Sequence, residues 1–374
     1  MRAADLHTIN DLGISSQELM RRAGTAIADE VAAVADKNSE ILVVCGSGNN
    51  GGDGYVCAAE LLRRGYNAKV YACGGRLSED CRREKEQFSG TYARTIAGDV
   101  IVDCIFGTGL CREVAGEYAD IINDINASGA YVISADIPSG LSSDSGQILG
   151  TAVRADKTVA IAELKAGFAL ASGFDCCGTV VVKDIGICPD EGGYAAVYDD
   201  SDIAKFYPAR PRNSHKGTFG TATLVCGSAQ YVGSAVLAVS AALKSGCGYV
   251  KAVCADEVKA AIAPNFPQTV FSVQPDLSSR AIAIGMGCGA SQALHDAIDY
   301  LLKEYSGTLI IDADGLNSLA MYGTDILKDK KCNVILTPHI KEFSRISDKT
   351  AGEVLAAPVA CAQQLGRDYA ATIV

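Results

Sequence analysis

The chain has 374 residues, of which 48% are hydrophobic and 21% are charged. This is the composition of an ordinary globular protein, and the length allows two domains with separate cores. The net charge of −11 argues against a nucleic acid or a membrane surface as partner, because both favour basic patches.

The first half of the chain alternates predicted helices with short apolar strands. Apolar residues at helical spacing cover 5–36, and further helices are predicted at about 55–65, 78–89 and 117–128. The predicted strands lie at 41–45, 68–73, 100–106, 130–138, 158–164 and 178–187. This alternation favours an α/β fold with a Rossmann-like, doubly wound parallel sheet.

The segment 198–212 interrupts the alternation and is rich in charge and proline, so we place a linker there. A second α/β series follows it. Its strands are predicted at 221–226, 249–254, 281–287, 308–314 and 333–338. We therefore predict two α/β domains, at 1–205 and 206–374.

The last six residues of the sequence, YAATIV, have the character of another strand that has only begun. A central strand needs a successor or a covering element, so we expect the second domain to be incomplete. An incomplete sheet would expose an edge and apolar surface, which favours self-association, and a homo-oligomer is compatible with the sequence.

The 15 cysteines form no C-x-x-C pair and no zinc-type cluster with histidine. Several lie inside apolar runs, namely Cys45, Cys57, Cys104, Cys226 and Cys254. We expect buried, reduced thiols, as in a cytoplasmic protein. The amino-terminal residues also lack the basic and apolar regions of a secretory signal.

A glycine-rich segment, GSGNNGGDG at 46–54, follows the first predicted strand. Gly46, Gly48 and Gly51 satisfy the G-x-G-x-x-G pattern, in which glycines let the backbone approach phosphate at a helix start. The second strand, however, is not followed by the acidic residue that ordinary NAD dehydrogenases use for the ribose. A carboxylate is present in the loop itself, at Asp53. We therefore expect a different mode of binding, with a purely structural turn as the alternative.

Further motifs follow this loop in a recognisable order. They are LMRRAG at 19–24, VDCIFGTGL at 102–110, ADIPSGLSSDSG at 135–146, RADKTVAIAELKAG at 154–167 and GTVVVKDIGI at 178–187. With GNNGGDG, they resemble the NAD(P)H-hydrate epimerase family along residues 1–190. This family repairs damaged nicotinamide dinucleotides.

The resemblance implies a function for several residues. The dinucleotide would be bound by Asn49, Asn50, Gly51, Gly52 and Asp53. Its phosphates would be bound by Gly107, Thr108, Gly109, Leu110, Cys111, Arg112 and Glu113. A potassium ion would be coordinated by Asn50, Asp103 and Ser139, whose hard oxygen atoms suit such a cation. Asp136 would contact the damaged nicotinamide ring.

Asp136 is also the candidate for acid–base chemistry. The substrate carries a hydroxyl group at C6 of the reduced ring, and inversion requires that it leave as water and return to the other face. One carboxylate beside the ring can act as acid and as base. Open α/β sheets bind ligands at the edge where Asp136 is expected. Lys165 would assist by its charge; the alternatives are a turn-capping aspartate and a solvated lysine.

The second half of the chain resembles another family. Its motifs are HKGTFG at 215–220, CGSAQYVGSA at 226–235, KSGCGYV at 244–250, GMGCG at 285–289, IDADGLN at 311–317 and TPHIKEF at 337–343. They resemble the ADP- or ATP-dependent NAD(P)H-hydrate dehydratases, which have a ribokinase-like fold. The resemblance implies that Ser234, Gly287 and His339 contact the hydrate. It also implies that a complete domain uses ADP or ATP with magnesium.

One motif of that family, a G-x-G-D turn that holds phosphate and moves a proton, has no counterpart after His339. We therefore expect no dehydratase activity from this sequence, and His339 could be an ordinary loop histidine. The overall prediction is an isomerase that acts on R- and S-NAD(P)H-hydrate, a small dinucleotide.

Three other functions stay open. A small-molecule kinase would need the missing G-x-G-D turn. A non-catalytic binding or interaction module would not need Asp136 and Asn50, which are both present. An ordinary NAD dehydrogenase would need an acidic residue after the second strand.

Overall fold

The computed structural model describes residues 2–187, 195–198, 200–207 and 209–374. The chain forms two compact units, Met1–Tyr198 and Asp199–Val374, each built on a parallel sheet of seven strands. The predicted α/β class is therefore confirmed. The boundary predicted between 205 and 206 stays a prediction. Within the described ranges, no helix combines the length and the apolar character that a membrane span needs.

The first unit has its strands in the order β3-β2-β1-β4-β5-β6-β7. They are β1 (Glu40–Cys45), β2 (Asn67–Ala72), β3 (Thr91–Tyr92), β4 (Val100–Cys104), β5 (Tyr131–Ala135), β6 (Lys157–Ile161) and β7 (Thr179–Lys183). The helices are α1 (Arg2–Asn10), α2 (Ser16–Ala32), α3 (Asn49–Arg63), α4 (Glu79–Gln87), α5 (Glu117–Ala127) and α6 (Gly173–Cys176). The strand order reverses between β1 and β4, and such a reversal opens a crevice at the carboxyl ends of the two strands.

Strand β1 shows why this sheet is buried on both faces. Ile41 and Val43 join the core cluster that contains α2 and α3, whereas Leu42 and Val44 join the cluster that contains α5. Successive side chains of a strand point to opposite faces. The continuous apolar run of β1 therefore fits helices on both sides of the sheet.

The second unit has the strand order β10-β9-β8-β11-β12-β13-β14, which reverses between β8 and β11. Its strands are β8 (Thr221–Val225), β9 (Tyr249–Val253), β10 (Val270–Phe271), β11 (Ala281–Ile284), β12 (Thr308–Ile311), β13 (Asn333–Leu336) and β14 (Thr372–Ile373). Its helices are α7 (Asp200–Phe206), α8 (Val232–Lys244), α9 (Asp256–Ile262), α10 (Gln292–Glu304), α11 (Asp314–Tyr322), α12 (Ile340–Ile346), α13 (Ala351–Ala356) and α14 (Pro358–Tyr369). Helix α7 lies inside the segment predicted as a linker, of which residues 199 and 208 lie outside the described part.

The glycine-rich segment is the main correction to the predicted elements. A loop was expected over 46–54 with a helix from about 55, but α3 begins at Asn49. A Cβ atom on Gly51 would overlap the carbonyl oxygen of Gly46, and one on Gly54 would lie 2.8 Å from Cβ of Cys104. Glycine therefore lets α3 start directly against the strand ends. This packing outweighs the low helix propensity of glycine.

The cysteines of the apolar runs are free thiols, and Cys45, Cys57, Cys104 and Cys226 are buried as predicted, whereas Cys254 is only partly buried. Burial raises the pKa of each of these thiols, that of Cys226 to about 12. A raised pKa makes a thiol a poor nucleophile. These cysteines therefore contribute as small apolar groups.

An ion-paired glutamate joins α2 to the edge of the first sheet. Glu30 contacts the ammonium groups of Lys157 and Lys183, at 2.9 and 2.6 Å. Burial opposes ionisation of Glu30, but hydrogen bonds from Lys183 and Lys157 outweigh it and lower the pKa of this carboxyl below its ordinary value of 4.5.

The change Glu30→Gln is expected to lower the free energy of unfolding at pH 7 by about 1–2 kcal/mol, because it removes charge-assisted hydrogen bonds. Since the folded-state pKa is depressed, the stabilisation is complete above pH 4.5 and is lost as the pH falls through the folded value. Urea unfolding at several pH values measures this difference. If the unsubstituted chain and Glu30→Gln differ in stability by the same amount in strong acid, the ionised Glu30 carboxylate is not the source of the stabilisation. The exposed Glu40→Gln is the control, with an expected change below about 0.5 kcal/mol.

Candidate functional site

The first unit contains a cavity of about 580 Å³ at the carboxyl ends of β1 and β4. One side is formed by the segments that follow these strands, at 47–50 and 105–112, and by Asp136 after β5. The other residues come chiefly from α1 and α2. The volume lies in the range of small-molecule binding sites, at the switch point where such sheets bind ligands.

Asp136 is fixed in this cavity by its backbone and by two donors. Its φ angle of 65° lies in the left-handed region, which non-glycine residues adopt at a cost of about 1 kcal/mol or more. The backbone N–H of Thr108 donates to Oδ2 at 3.0 Å, and Nζ of Lys165 lies 2.6 Å from Oδ1. A Cβ atom on Gly107 would come within 2.8 Å of Oδ2, so glycine is what lets the two segments meet.

Lys165 lies behind Asp136 and does not line the cavity. Its side chain is only 3% exposed, and Nζ also donates to the carbonyl oxygen of Ile161 at 2.8 Å. It is thus a buried lysine and not a solvated one. Its place in the structure makes it a partner of the Asp136 carboxylate.

Asp103 at the end of β4 forms a buried polar cluster with Ser139. The hydroxyl of Ser139 donates to Oδ1 at 2.6 Å, and the backbone N–H of Ser139 and the hydroxyl of Ser134 donate to Oδ2, both at 2.8 Å. Burial raises the pKa of Asp103, and the hydrogen bonds from Ser139 and Ser134 oppose that rise. The cluster ties β4 to the turn after β5.

Asn50 reaches the same cluster from the first turn of α3. Its Nδ2 donates to the carbonyl oxygen of Phe106 at 3.0 Å, and the hydroxyl of Ser139 lies 3.3 Å from that oxygen. The Oδ1 atom of Asn50 is buried and has no hydrogen-bond partner among the described residues. Such an orphaned acceptor calls for an explanation. A cation bound by hard oxygen atoms would satisfy it, and the donor set fits one.

The other predicted binding residues fall into two groups. Asn49, Asp53 and the segment from Gly107 to Arg112 line the cavity. Glu113 is exposed and outside the lining, and Gly51 and Gly52 are buried against Gly46 and Met20. The two glycines therefore act through packing of α3 in this structure. Within the described ranges, no group of three or more His, Cys, Asp or Glu side chains could hold a metal.

Asp53 is a carboxyl group that the cavity wall partly encloses. Desolvation raises its pKa well above the ordinary value, and the nearby negative charges of Asp136 and Asp5 raise it further. The raised pKa favours the protonated form of Asp53. In that form the carboxyl group can donate a hydrogen bond to a ligand.

Several lining residues were missed from the sequence. Asp5 and Ile9 come from α1, and Ile185 and Ile187 follow β7. The apolar spacing of 5–36 predicts helix there, but it does not say which part of the sheet the helix faces. No motif contains Asp5 or Ile9, and the motif at 178–187 contains Ile185 and Ile187 without indicating that they face a ligand.

In the second unit, the structure brings two of the three predicted residues together. Gly287, with φ of 71°, follows β11, and a Cβ atom on it would lie 2.9 Å from Oγ of Ser234 in α8. His339 is instead the capping residue of α12: its Nδ1 accepts from the N–H groups of Lys341 and Glu342 at 3.1 and 3.4 Å. Its ring is 63% exposed.

A doubly wound parallel sheet with a ligand-sized cavity at its switch point is typical of the α/β proteins that bind nucleotides. The model of the YjeF-related protein N-terminus matches residues 16–167, and that of the NAD(P)H-hydrate dehydratases matches 222–374.

Curated relatives match along nearly the whole chain. The bifunctional NAD(P)H-hydrate repair enzyme of Thermofilum pendens is 30% identical over 416 residues, covering 100% of this chain and 78% of that protein. The enzymes of the same name from Salinibacter ruber and Coxiella burnetii are 30% and 31% identical and cover 93% and 91% of this chain, and 74% and 73% of their own lengths. The chain belongs to the family of bifunctional NAD(P)H-hydrate repair enzymes. Both resemblances inferred from the motifs are thereby confirmed.

Solved structures match parts of the chain. The ADP/ATP-dependent NAD(P)H-hydrate dehydratase of Bacillus subtilis, co-crystallised with ATP and Mg²⁺, is 28% identical with a TM-score of 0.42, and the match covers 47% of this chain and 64% of that one. A yeast protein is 21% identical with a TM-score of 0.42, covering 57% of this chain and 93% of that one. The dehydratase model matches through residue 374, so the expected truncation is not supported.

Proposed function

We propose that the first unit interconverts the R and S epimers of NAD(P)H-hydrate. One observation carries the proposal: Asp136 faces a cavity at the switch point and is held there by Lys165 and the Thr108 N–H. A carboxylate so fixed can transfer a proton to or from one defined position on a bound ring. Membership of the repair-enzyme family supports this choice of substrate.

The cavity offers separate places for the two ends of the dinucleotide. The residues from Gly107 to Arg112 line it with backbone and with one guanidinium group. Helix α3 begins beside them, with Gly48 as its capping residue and no side-chain cap on its N–H groups. A free helix start binds phosphate. We therefore assign the phosphates to this side and the hydrated ring to Asp136.

The chemistry at the ring then follows from the position of Asp136. The Asp136 carboxyl group gives a proton to the C6 hydroxyl, and the carbon–oxygen bond breaks. Water departs, and the ring is left as a cation that the neighbouring nitrogen stabilises. In the reverse direction, water attacks C6 and its proton returns to Asp136. Lys165 donates a hydrogen bond to the other carboxylate oxygen and keeps the transferring oxygen aimed at the ring.

A potassium ion belongs to this proposal, with Asn50, Asp103 and Ser139 as the residues that would hold it. The bound ion would supply positive charge beside the buried Asp103 carboxylate. The residues themselves fix the segment after β4, since Asn50 and Ser139 both contact the carbonyl oxygen of Phe106. That segment carries Gly107 and Thr108, which contact Asp136.

Potassium is expected to stabilise the folded chain, and Asn50→Ala is expected to abolish that effect by removing the unpartnered Oδ1. At ten times its dissociation constant, a bound ion adds about 1.4 kcal/mol to the free energy of unfolding. Unfolding in potassium chloride and in choline chloride of equal ionic strength measures this. An equal potassium effect in Asn50→Ala, or none in the unsubstituted chain, would contradict the site.

The proposed epimerase can be tested with a coupled assay. A mixture of R- and S-NADPH-hydrate is given to a separately purified S-specific dehydratase with ATP and magnesium, and NADPH is followed by absorbance. Without this chain, NADPH formation should stop once the S epimer is consumed. With the chain, both epimers should be converted; a plateau at the S fraction would reject the proposal.

The second unit is the candidate for binding the hydrate as the dehydratases do, because the dehydratase model matches 222–374 and Ser234 lies beside Gly287 at the sheet switch point. Binding of the hydrate, and of ADP or ATP with magnesium, is part of this proposal. The missing G-x-G-D turn predicts no dehydration, and the coupled assay without added dehydratase measures it. A cytoplasmic location and a homo-oligomer also stay predictions.

A further inference from the structure

A second carboxyl group of the cavity has no assigned function. Asp5 lies in α1 and lines the same cavity as Asp136. Its side chain forms no hydrogen bond or ion pair with any other residue that the structure describes. A partly buried carboxyl group that lines a ligand cavity, with no side-chain partner among the described residues, is available to the ligand.

The electrostatics of Asp5 link it to the Asp136 pair. Burial raises the pKa of Asp5, and the amino-terminal ammonium group of the chain opposes that rise. The negative charge of Asp136 raises it further, and the ammonium group of Lys165 opposes it. Asp5 also adds to the raised pKa of Asp53. Asp5, Asp53 and Asp136 all line one cavity, so one ligand can meet all three.

Inversion of C6 sets a geometric requirement. The hydroxyl group leaves from one face of the ring, and water must enter at the other face. Thr108 and Lys165 hold the Asp136 carboxylate in one position. The remaining lone pairs of its oxygen atoms can therefore face only one side of a bound ring. Asp5 lies in α1, which with α2 supplies most of the cavity residues outside the segments that follow the strands. Asp53 is less suitable as a base, because burial and the negative charges of Asp136 and Asp5 raise its pKa and favour its protonated form.

We propose that Asp5 is the second proton-transferring group of the epimerisation site, serving the face of the ring that Asp136 does not reach. This inference rests on the proposed epimerase function. In one direction, protonated Asp136 gives its proton to the leaving hydroxyl, and the carbon–oxygen bond breaks to release water. A water molecule then attacks C6 from the Asp5 side, the ring nitrogen regains its electron pair, and the water proton passes to Asp5. The reverse direction starts from protonated Asp5.

The test uses the full chain in water labelled with heavy oxygen, starting from each pure epimer. For Asp5→Asn, we expect interconversion to slow by about a hundredfold to a thousandfold. One epimer should still exchange its hydroxyl oxygen with the solvent through Asp136, without inversion. Asp136→Asn should show the reverse pattern, with exchange only in the other epimer. Asp5→Glu, which keeps a carboxyl group, should restore exchange in both.

The matched control is Asp11→Asn, an exposed aspartate just after α1 that pairs with His7; it should exchange and interconvert at the unsubstituted rate. Interconversion by Asp5→Asn at that same rate would overturn the inference and leave the epimerase intact. Equal loss of exchange in both epimers, with an unchanged unfolding midpoint, would also overturn it. If the unsubstituted chain itself does not epimerise, the proposed function fails first.

Discussion

Asp136→Asn is expected to lower kcat for epimerisation by about a thousandfold, with a much smaller change in KM. Acid–base catalysis by one positioned side chain contributes about a hundredfold to ten-thousandfold. An asparagine amide can neither give nor take the proton at the ring. It does accept the Thr108 hydrogen bond, and asparagine tolerates the left-handed backbone of this position. The ligand should therefore still bind.

The control for this variant is Asp144→Asn, which makes the same chemical change at an exposed aspartate in the loop between β5 and β6. Its initial rate should equal that of the unsubstituted chain. Thermal unfolding is needed alongside, because the amide leaves the buried Lys165 ammonium without its carboxylate. A folded Asp136→Asn variant that retains a tenth or more of the rate would show that Asp136 is not the acid–base group.

Gly51→Ala is expected to lower the free energy of unfolding by about 3 kcal/mol or more, which is the upper range for overpacking. In an open helix the same change would stabilise by about 1 kcal/mol. Here the added methyl group would overlap the carbonyl oxygen of Gly46, and backbone atoms at a strand end have little freedom to move. The start of α3 would shift, and Asn50 and Asp53 with it.

Urea unfolding of Gly51→Ala measures this effect, with Gly48→Ser as the control one turn away. A Cβ atom on Gly48 meets nothing within 4 Å, and serine is a preferred residue at a helix start. The control should change stability by less than about 1 kcal/mol. Gly51→Ala as stable as the unsubstituted chain would mean that α3 does not pack as closely as the structure shows.

The central strands could be predicted from the sequence because they are buried on both faces. The runs at 41–45 and 100–106 are apolar throughout, and the structure has strands at Glu40–Cys45 and Val100–Cys104. Strands β3 and β10 were missed, since two paired residues at a sheet edge leave no periodic pattern. The low helix propensity of glycine predicts a start of α3 that is too late. The close packing of Gly51 against Gly46, which requires glycine, is not visible in the sequence.

The sequence predicts only those site residues that lie in motifs near strand ends. Motifs gave Asp103 near the end of β4, and Asn50 and Asp136 just after β1 and β5. The ends of these strands meet at one edge of the sheet. The motifs could not give Asp5, whose position depends on how α1 packs over that edge. Nor could they show that Lys165 is buried against Asp136, since spacing along the chain does not report burial.

The most direct test of the proposed epimerase is a time course that starts from pure R-NADPH-hydrate, with the epimers separated by chromatography. We expect the chain, in potassium buffer, to bring R and S to their equilibrium ratio far faster than buffer alone. The same final ratio is expected when the reaction starts from S. A folded chain that leaves the R fraction falling only at the uncatalysed rate would contradict it.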